Sequence, residues 1–226
     1  FRFAGEKIRA HLLKALQGVV DVPLQLDSTM PQVLEAALRI YNGKPIVNSV
    51  NGEEKSLSTV LPLVKKYGAA VVGLTLDEQG IPKTAEGRFQ IAKRILDRAL
   101  ALGIRREDVY IDCLTLTVSA EQDGAVQTLS ALHRVKQELG LKTVLGVSNI
   151  SFGLPNRELV NHSFLLMALQ NGLDLPIMNP NVASMMDAVR SYCLLANIDK
   201  NAVDFIAAYG SAEPKAKPTA APADMT

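Results

Sequence analysis

The sequence predicts an α/β protein: a (β/α)8 TIM barrel that lacks about one strand-helix segment near its N-terminus. Three observations predict it. Short apolar runs alternate with amphipathic helical stretches along nearly the whole chain, the pattern of parallel strands covered by helices. No Gly-rich dinucleotide turn interrupts the alternation, which disfavours an open doubly wound sheet. The chain is also long enough for one sizeable core, with 226 residues of which 48% are hydrophobic.

Phe1 to Ile8 is read as the first strand. His11 to Asp21 then has room for one helix, but not for helix, strand and helix. Further strands are expected over Val22 to Asp27, Pro45 to Ser49, Ala69 to Leu76, Val109 to Leu114, Thr143 to Asn149 and Leu175 to Met178. Between them the helical period marks Gln32 to Tyr41, Leu57 to Tyr67, Ala85 to Leu102, Ala125 to Leu139 and Glu158 to Asn171. Several of these close on Gly68, Gly103, Gly140 or Gly172, where a left-handed turn ends a helix at little cost. The strand count is one short of closure. Either the barrel is unusual, or the sequence joins two segments across an unrecorded stretch. Residues 1–209 are assigned to the barrel. The Ala- and Pro-rich stretch 210–226 has little to bury and reads either as a linker to another module or as a frayed terminus.

Charge excludes whole classes of function. The 24 Lys and Arg nearly cancel the 23 Asp and Glu, so no basic excess is available for nucleic acid or an anionic membrane, and binding is expected in a pocket. Cys113 and Cys193 form neither a disulfide framework nor a thiolate zinc set. With no apolar run of about eighteen residues and no signal-peptide core, a soluble protein of the cytoplasm is expected.

In barrels of this kind the carboxyl ends of the strands line the active site. Here those ends read Asp27-Ser28-Thr29, Asn48-Ser49-Val50-Asn51, Thr75-Leu76-Asp77, Asp112-Cys113-Leu114, Ser148-Asn149-Ile150-Ser151 and Asn179-Pro180-Asn181. Carboxylates and carboxamides supply paired acceptors and donors, which suit a flat heterocycle carrying an amide and an amino group. The same residue types also cap helices and make turns. Asp27-Ser28-Thr29 before Pro31 fits a cap, and Thr75 and Asp77 fit a plain loop. Neither cysteine has a histidine nearby in sequence. His11 and His133 sit within helical patterns, His162 reads as structural, and no metal-binding spacing occurs. The expected chemistry therefore depends on positioning and polarisation.

These motifs resemble the pterin-binding methyltransferase family, which includes methyltetrahydrofolate:corrinoid protein methyltransferases and the folate domain of cobalamin-dependent methionine synthase. The resemblance covers most of residues 22–209. It rests on Leu26-Asp27-Ser28-Thr29, Ile46-Val47-Asn48-Ser49, Lys66-Tyr67-Gly68-Ala69-Ala70, Gly73-Leu74-Thr75, Gly80-Ile81-Pro82-Lys83, Ile111-Asp112, and Leu145 to Ser151 with Asn156-Arg157 following. Gly5-Glu6-Lys7-Ile8 is similar to the family's opening strand. The resemblance implies that Asp27, Asn48 and Asp112 hydrogen-bond the pterin, that Asn149 is catalytic beside the methyl-bearing nitrogen, and that Arg157 meets the folate tail. It further implies 5-methyltetrahydrofolate or tetrahydrofolate as substrate, and a corrinoid on a partner domain or protein. A homodimer is left open. Three departures stand out: Arg9 replaces an asparagine, Cys113 stands where a proline is common, and the family's second strand has no counterpart between Ile8 and Val22. The alternatives are a dihydropteroate synthase-like condensing enzyme, which should show a basic phosphate cluster, and a non-catalytic folate-binding barrel.

Overall fold

The computed structural model describes residues 6–210, with side chains from residue 12 onward. Its centre is a parallel sheet of six strands: β1 (Gln25–Asp27), β2 (Ile46–Asn51), β3 (Ala70–Leu74), β4 (Val109–Asp112), β5 (Lys142–Gly146) and β6 (Leu175–Ile177). They lie side by side in chain order, β1 to β6. Helices α2 (Pro31–Ile40), α3 (Glu54–Tyr67), α4 (Ala85–Ala101), α5 (Gly124–Glu138) and α6 (Arg157–Gln170) connect them, and α7 (Ala183–Leu195) and α8 (Val203–Tyr209) follow β6. Right-handed crossovers that always step to the next strand put every connecting helix on the same face, so the sheet curls into a half-barrel. Six of the seven expected strands and all five named helices form within a few residues of their expected ranges. Gly68, Gly103, Gly140 and Gly172 each take a positive φ.

The expected first strand is not found. Residues 1–5 lie outside the described residues, and from Glu6 the chain is helical, α1 (Glu6–Gln17). Ile8, Leu12, Leu13 and Leu16 repeat at helical spacing, and this period prevails over the short apolar run in front of it. Leu13 is buried, and Gln17 ties the helix end to the α2–β2 turn by donating from Nε2 to the Asn42 carbonyl at 2.8 Å. The described sheet is thus two strands short of a closed barrel. The expected linker after Gly210 lies outside the described residues.

The core lies between the sheet and its helices. Val47, Val71, Val109 and Ile111 from the strands meet Leu61, Val64, Ile95, Ala92 and Leu132 from α3, α4 and α5, all within a few percent of full burial. The fit is close at Gly73, where an added Cβ would come within 2.9 Å of Ile95 Cγ2 and 3.1 Å of Ile111 Cδ1. Gly73→Ala should therefore cost about 1–3 kcal/mol by overpacking, seen as a lower Tm in a thermal melt. No helix among the described residues is long and apolar enough to cross a membrane.

Candidate functional site

The parallel register decides which side chains share a face. Asp27 pairs with Asn48, Asn48 with Val72, and Val72 with Tyr110. Laterally paired residues point the same way, as do residues two apart along a strand. Asp27, Asn48 and Asp112, two beyond Tyr110, therefore occupy one face. The opposite face carries Leu26, Val47, Val71 and Val109, all buried under the helices. The polar trio is thus on the concave side. Asp112 pairs with Val144, so Gly146, two residues on, brings β5 to that same side.

Asn149 lies in the 3₁₀ turn Val147–Ser151 that follows β5. A Cβ added at Gly146 would lie 2.9 Å from its Nδ2, so the Asn149 carboxamide lies over the concave end of β5. At strand spacing, Asp27 and Asn48 are about 5 Å apart along the rim, and Asp112, two strands over and two residues further along, is about 12 Å from Asn48.

Their environments differ. Asp27 and Asn149 are exposed, Asn48 is half-buried, and among the described residues no side chain hydrogen-bonds any of the three. Asp112 is buried, and burial pushes its carboxyl up to about 7, against the Leu114 N–H and the charge of Arg88, which favour ionisation. Its Oδ1 accepts from the Leu114 N–H at 2.7 Å, while Thr75 Oγ1 donates to its main-chain carbonyl at 3.2 Å. Arg157 braces the 3₁₀ turn. Its Nε donates to Ser151 Oγ and its Nη2 to the Ser148 carbonyl, both at 3.0 Å, and the guanidinium lies 4.5 Å from the Phe152 ring. From the β4–α5 loop, Thr117 and Ser119 hydroxyls donate to the Phe152 carbonyl at 2.6 and 2.8 Å.

Other polar strand ends serve local structure. Asn51 Oδ1 accepts from Glu53 N at 3.0 Å, Asp77 Oδ1 from Gln79 N at 2.9 Å, and Asn179 Oδ1 from Asn181 N at 3.0 Å. Asp77 thus does what the loop reading expected, whereas Thr75 is fully buried and tied to the Asp112 carbonyl on the neighbouring strand. Asp27 is no cap, because α2 starts at Met30 without a side-chain cap and Ser28 Oγ takes the Met30 N–H. Cys113 is fully buried beside Asp112, which drives its thiol pKa up and makes it a poor nucleophile. A pocket of about 350 Å³ between the β3–α4 loop and α4 is lined by Asp77, Gln79, Pro82 and Gln90 among others, but by none of the four rim residues.

Sequence reasoning passed over Arg88. It is 1% exposed under the β4–α5 loop. A signal was present, since Arg88 shares the apolar face of α4 with Ala85, Ile91, Ala92 and Ile95 at spacings of three, four and seven, where a charged residue needs a reason.

The described residues thus form an incomplete parallel (β/α)8 barrel with acids and carboxamides on its concave carboxyl rim. The family model described as pterin binding enzyme matches residues 7–179, and the chain belongs to that family. It is 38% identical over 184 residues to the methionine synthase of Mycobacterium leprae (strain TN), a match spanning 74% of this chain and 15% of that protein. It is also 29% identical over 181 residues to the methylcorrinoid:tetrahydrofolate methyltransferase of Eubacterium limosum, spanning 79% of this chain and 67% of that one. Among solved structures, the dihydropteroate synthase of Stenotrophomonas maltophilia with imidazole in its active site superposes with a TM-score of 0.67 at 19% identity, over 87% of this chain and 78% of that one. A likeness at that identity establishes the barrel alone.

Proposed function

We propose that this chain binds a methylated folate on the concave rim and passes its methyl group to, or takes it from, a corrinoid held by a partner domain or protein. The observation that carries the reading is the placement of the Asn149 carboxamide over Gly146, on the same face as Asp27, Asn48 and Asp112. Acids that accept and carboxamides that both donate and accept match the donors and acceptors along a pterin edge. Asp112 keeps Oδ2 for the ring while Oδ1 is held by its own loop. The names of the two relatives support methyl transfer over pterin condensation.

The chemistry assigned to this chain is small in extent. As the bond between nitrogen and methyl carbon breaks, its electron pair stays on nitrogen, and the Asn149 Nδ2–H donates to that nitrogen as the charge develops. Asp27, Asn48 and Asp112 hold the ring so that the methyl group points out of the rim. The corrinoid supplies the nucleophilic or methyl-carrying metal centre, and no residue of this chain is assigned to hold it. Arg157 spends its Nε–H and one Nη2–H on the 3₁₀ turn, which leaves Nη1 to serve the folate tail.

The direct test mixes the protein with methyltetrahydrofolate and reduced cobalamin and follows the corrinoid's visible spectrum. Protein-dependent conversion to methylcobalamin is expected, and folate binding without conversion would favour the non-catalytic reading. A finer test is Gly146→Ala. Gly146 has φ −74°, which alanine tolerates, so only the carboxamide must move. The variant should melt close to the parent and transfer methyl at least tenfold more slowly.

A further inference from the structure

We infer that Arg88 is a positioning residue that presents Asp112 to the ring by clamping the loop behind it; this rests on the pterin-binding reading above. Arg88 projects from α4 into the base of the β4–α5 loop. Its Nε donates to the Pro82 carbonyl at 2.9 Å, and its Nη1 to the Cys113 carbonyl at 3.1 Å, the Leu114 carbonyl at 3.0 Å and Thr128 Oγ1 at 2.6 Å. Thr128 in turn donates to the same Leu114 carbonyl at 3.1 Å.

The clamp acts on a constrained turn. Leu114 has φ +59°, a left-handed conformation that an L-residue with a bulky side chain adopts only when its surroundings enforce it. The Cys113 carbonyl that Arg88 holds and the Leu114 N–H that Asp112 Oδ1 accepts belong to one planar peptide and point opposite ways. Holding that carbonyl from behind holds the N–H in front, and so sets the carboxyl. Arg88 thus reaches the ring through Asp112.

Its charge points the same way. A buried guanidinium is costly, and one serving only to tie loops together is usually paired with a carboxylate. Among the described residues Arg88 makes no ion pair and is held by neutral oxygens alone. The charged or titratable side chains whose fields reach it are those of Cys113, Asp123, Asp112 and Glu121, and none of these side chains hydrogen-bonds it. When Asp112 ionises to accept the ring's N–H groups, the charge behind its loop is already in place to offset it.

The test titrates methyltetrahydrofolate into the whole chain across pH, following affinity by calorimetry and folding by thermal melts. Arg88→Met should weaken binding at least about tenfold and move the pH midpoint of binding upward, because Asp112 loses the charge that favours its ionised form. Arg88→Lys should restore the midpoint while recovering only part of the affinity, since an ammonium keeps the charge but not the fork of donors. A merely structural arginine would lower the melting temperature and leave the midpoint where it was. Should Arg88→Met not fold, Thr128→Val tests the same clamp more gently and should cost several-fold in affinity. Wild-type affinity and midpoint in whichever variant folds would overturn the inference alone. A wild-type chain that binds no folate would overturn both it and the reading on which it rests.

Discussion

Asn149→Ala slows methyl transfer about a hundredfold and changes folate affinity only a few-fold. The carboxamide sits at the end of β5, where the ring's methyl-bearing edge would lie, and it makes no hydrogen bond among the described residues that its loss would leave unsatisfied. A neutral donor to the lone pair of a tertiary amine contributes little while the nitrogen is uncharged and the N–methyl pair is still a bond. It contributes about 3 kcal/mol once that pair is released, the range found for single donors that meet a developing charge. Single-turnover transfer to reduced cobalamin, alongside equilibrium folate binding, separates the two effects. Equal losses in both would make Asn149 a simple binding residue.

Asp112→Asn weakens folate binding by about 10- to 100-fold, the usual worth of hydrogen bonds to a charged acceptor, and flattens its pH dependence. In the folded chain the carboxyl is raised from its ordinary 3.8 to about 7 by burial. Between those values the native state keeps a proton that the unfolded chain has lost, so this group's contribution to stability falls as pH rises through that window. Ring binding needs the carboxylate, so binding below pH 7 releases a proton and tightens as pH rises toward 7. Calorimetry in two buffers of different ionisation enthalpy counts that proton. The asparagine variant should release none and should lose no stability through the same window. It keeps Oδ1 for the Leu114 N–H, so the turn itself is preserved.

Much of this architecture was legible in the residues. Buried parallel strands are nearly uniform apolar runs, which is why Ala70–Leu74 and Val109–Asp112 stand out, and helices that close on Gly68 or Gly140 carry their own stop signals. The first element was misread because the run from Phe1 crosses into a helical period at Glu6, and eight residues hold too little of either period to separate them. At the rim, composition alone could not distinguish Asn48 from Asn51. The first is left open toward the concave face, while the second is spent on the Glu53 N–H, and only the register and the bonds make the difference. Arg88 was overlooked because it lies in a helix, away from the strand ends where barrel chemistry is sought.

The unbroken succession of neighbours from β1 to β6 has a consequence for a barrel that is not whole. In a sheet whose order doubles back, deleting two consecutive strands tears the middle or strips both margins. Here each strand adjoins the one before it in the chain, so what is missing comes away as a single wedge. The strands that carry Asp27, Asn48 and Asp112, and β5 that leads into Asn149, are left as one uninterrupted arc, so these rim groups keep their spacing although the circle is not closed among the described residues.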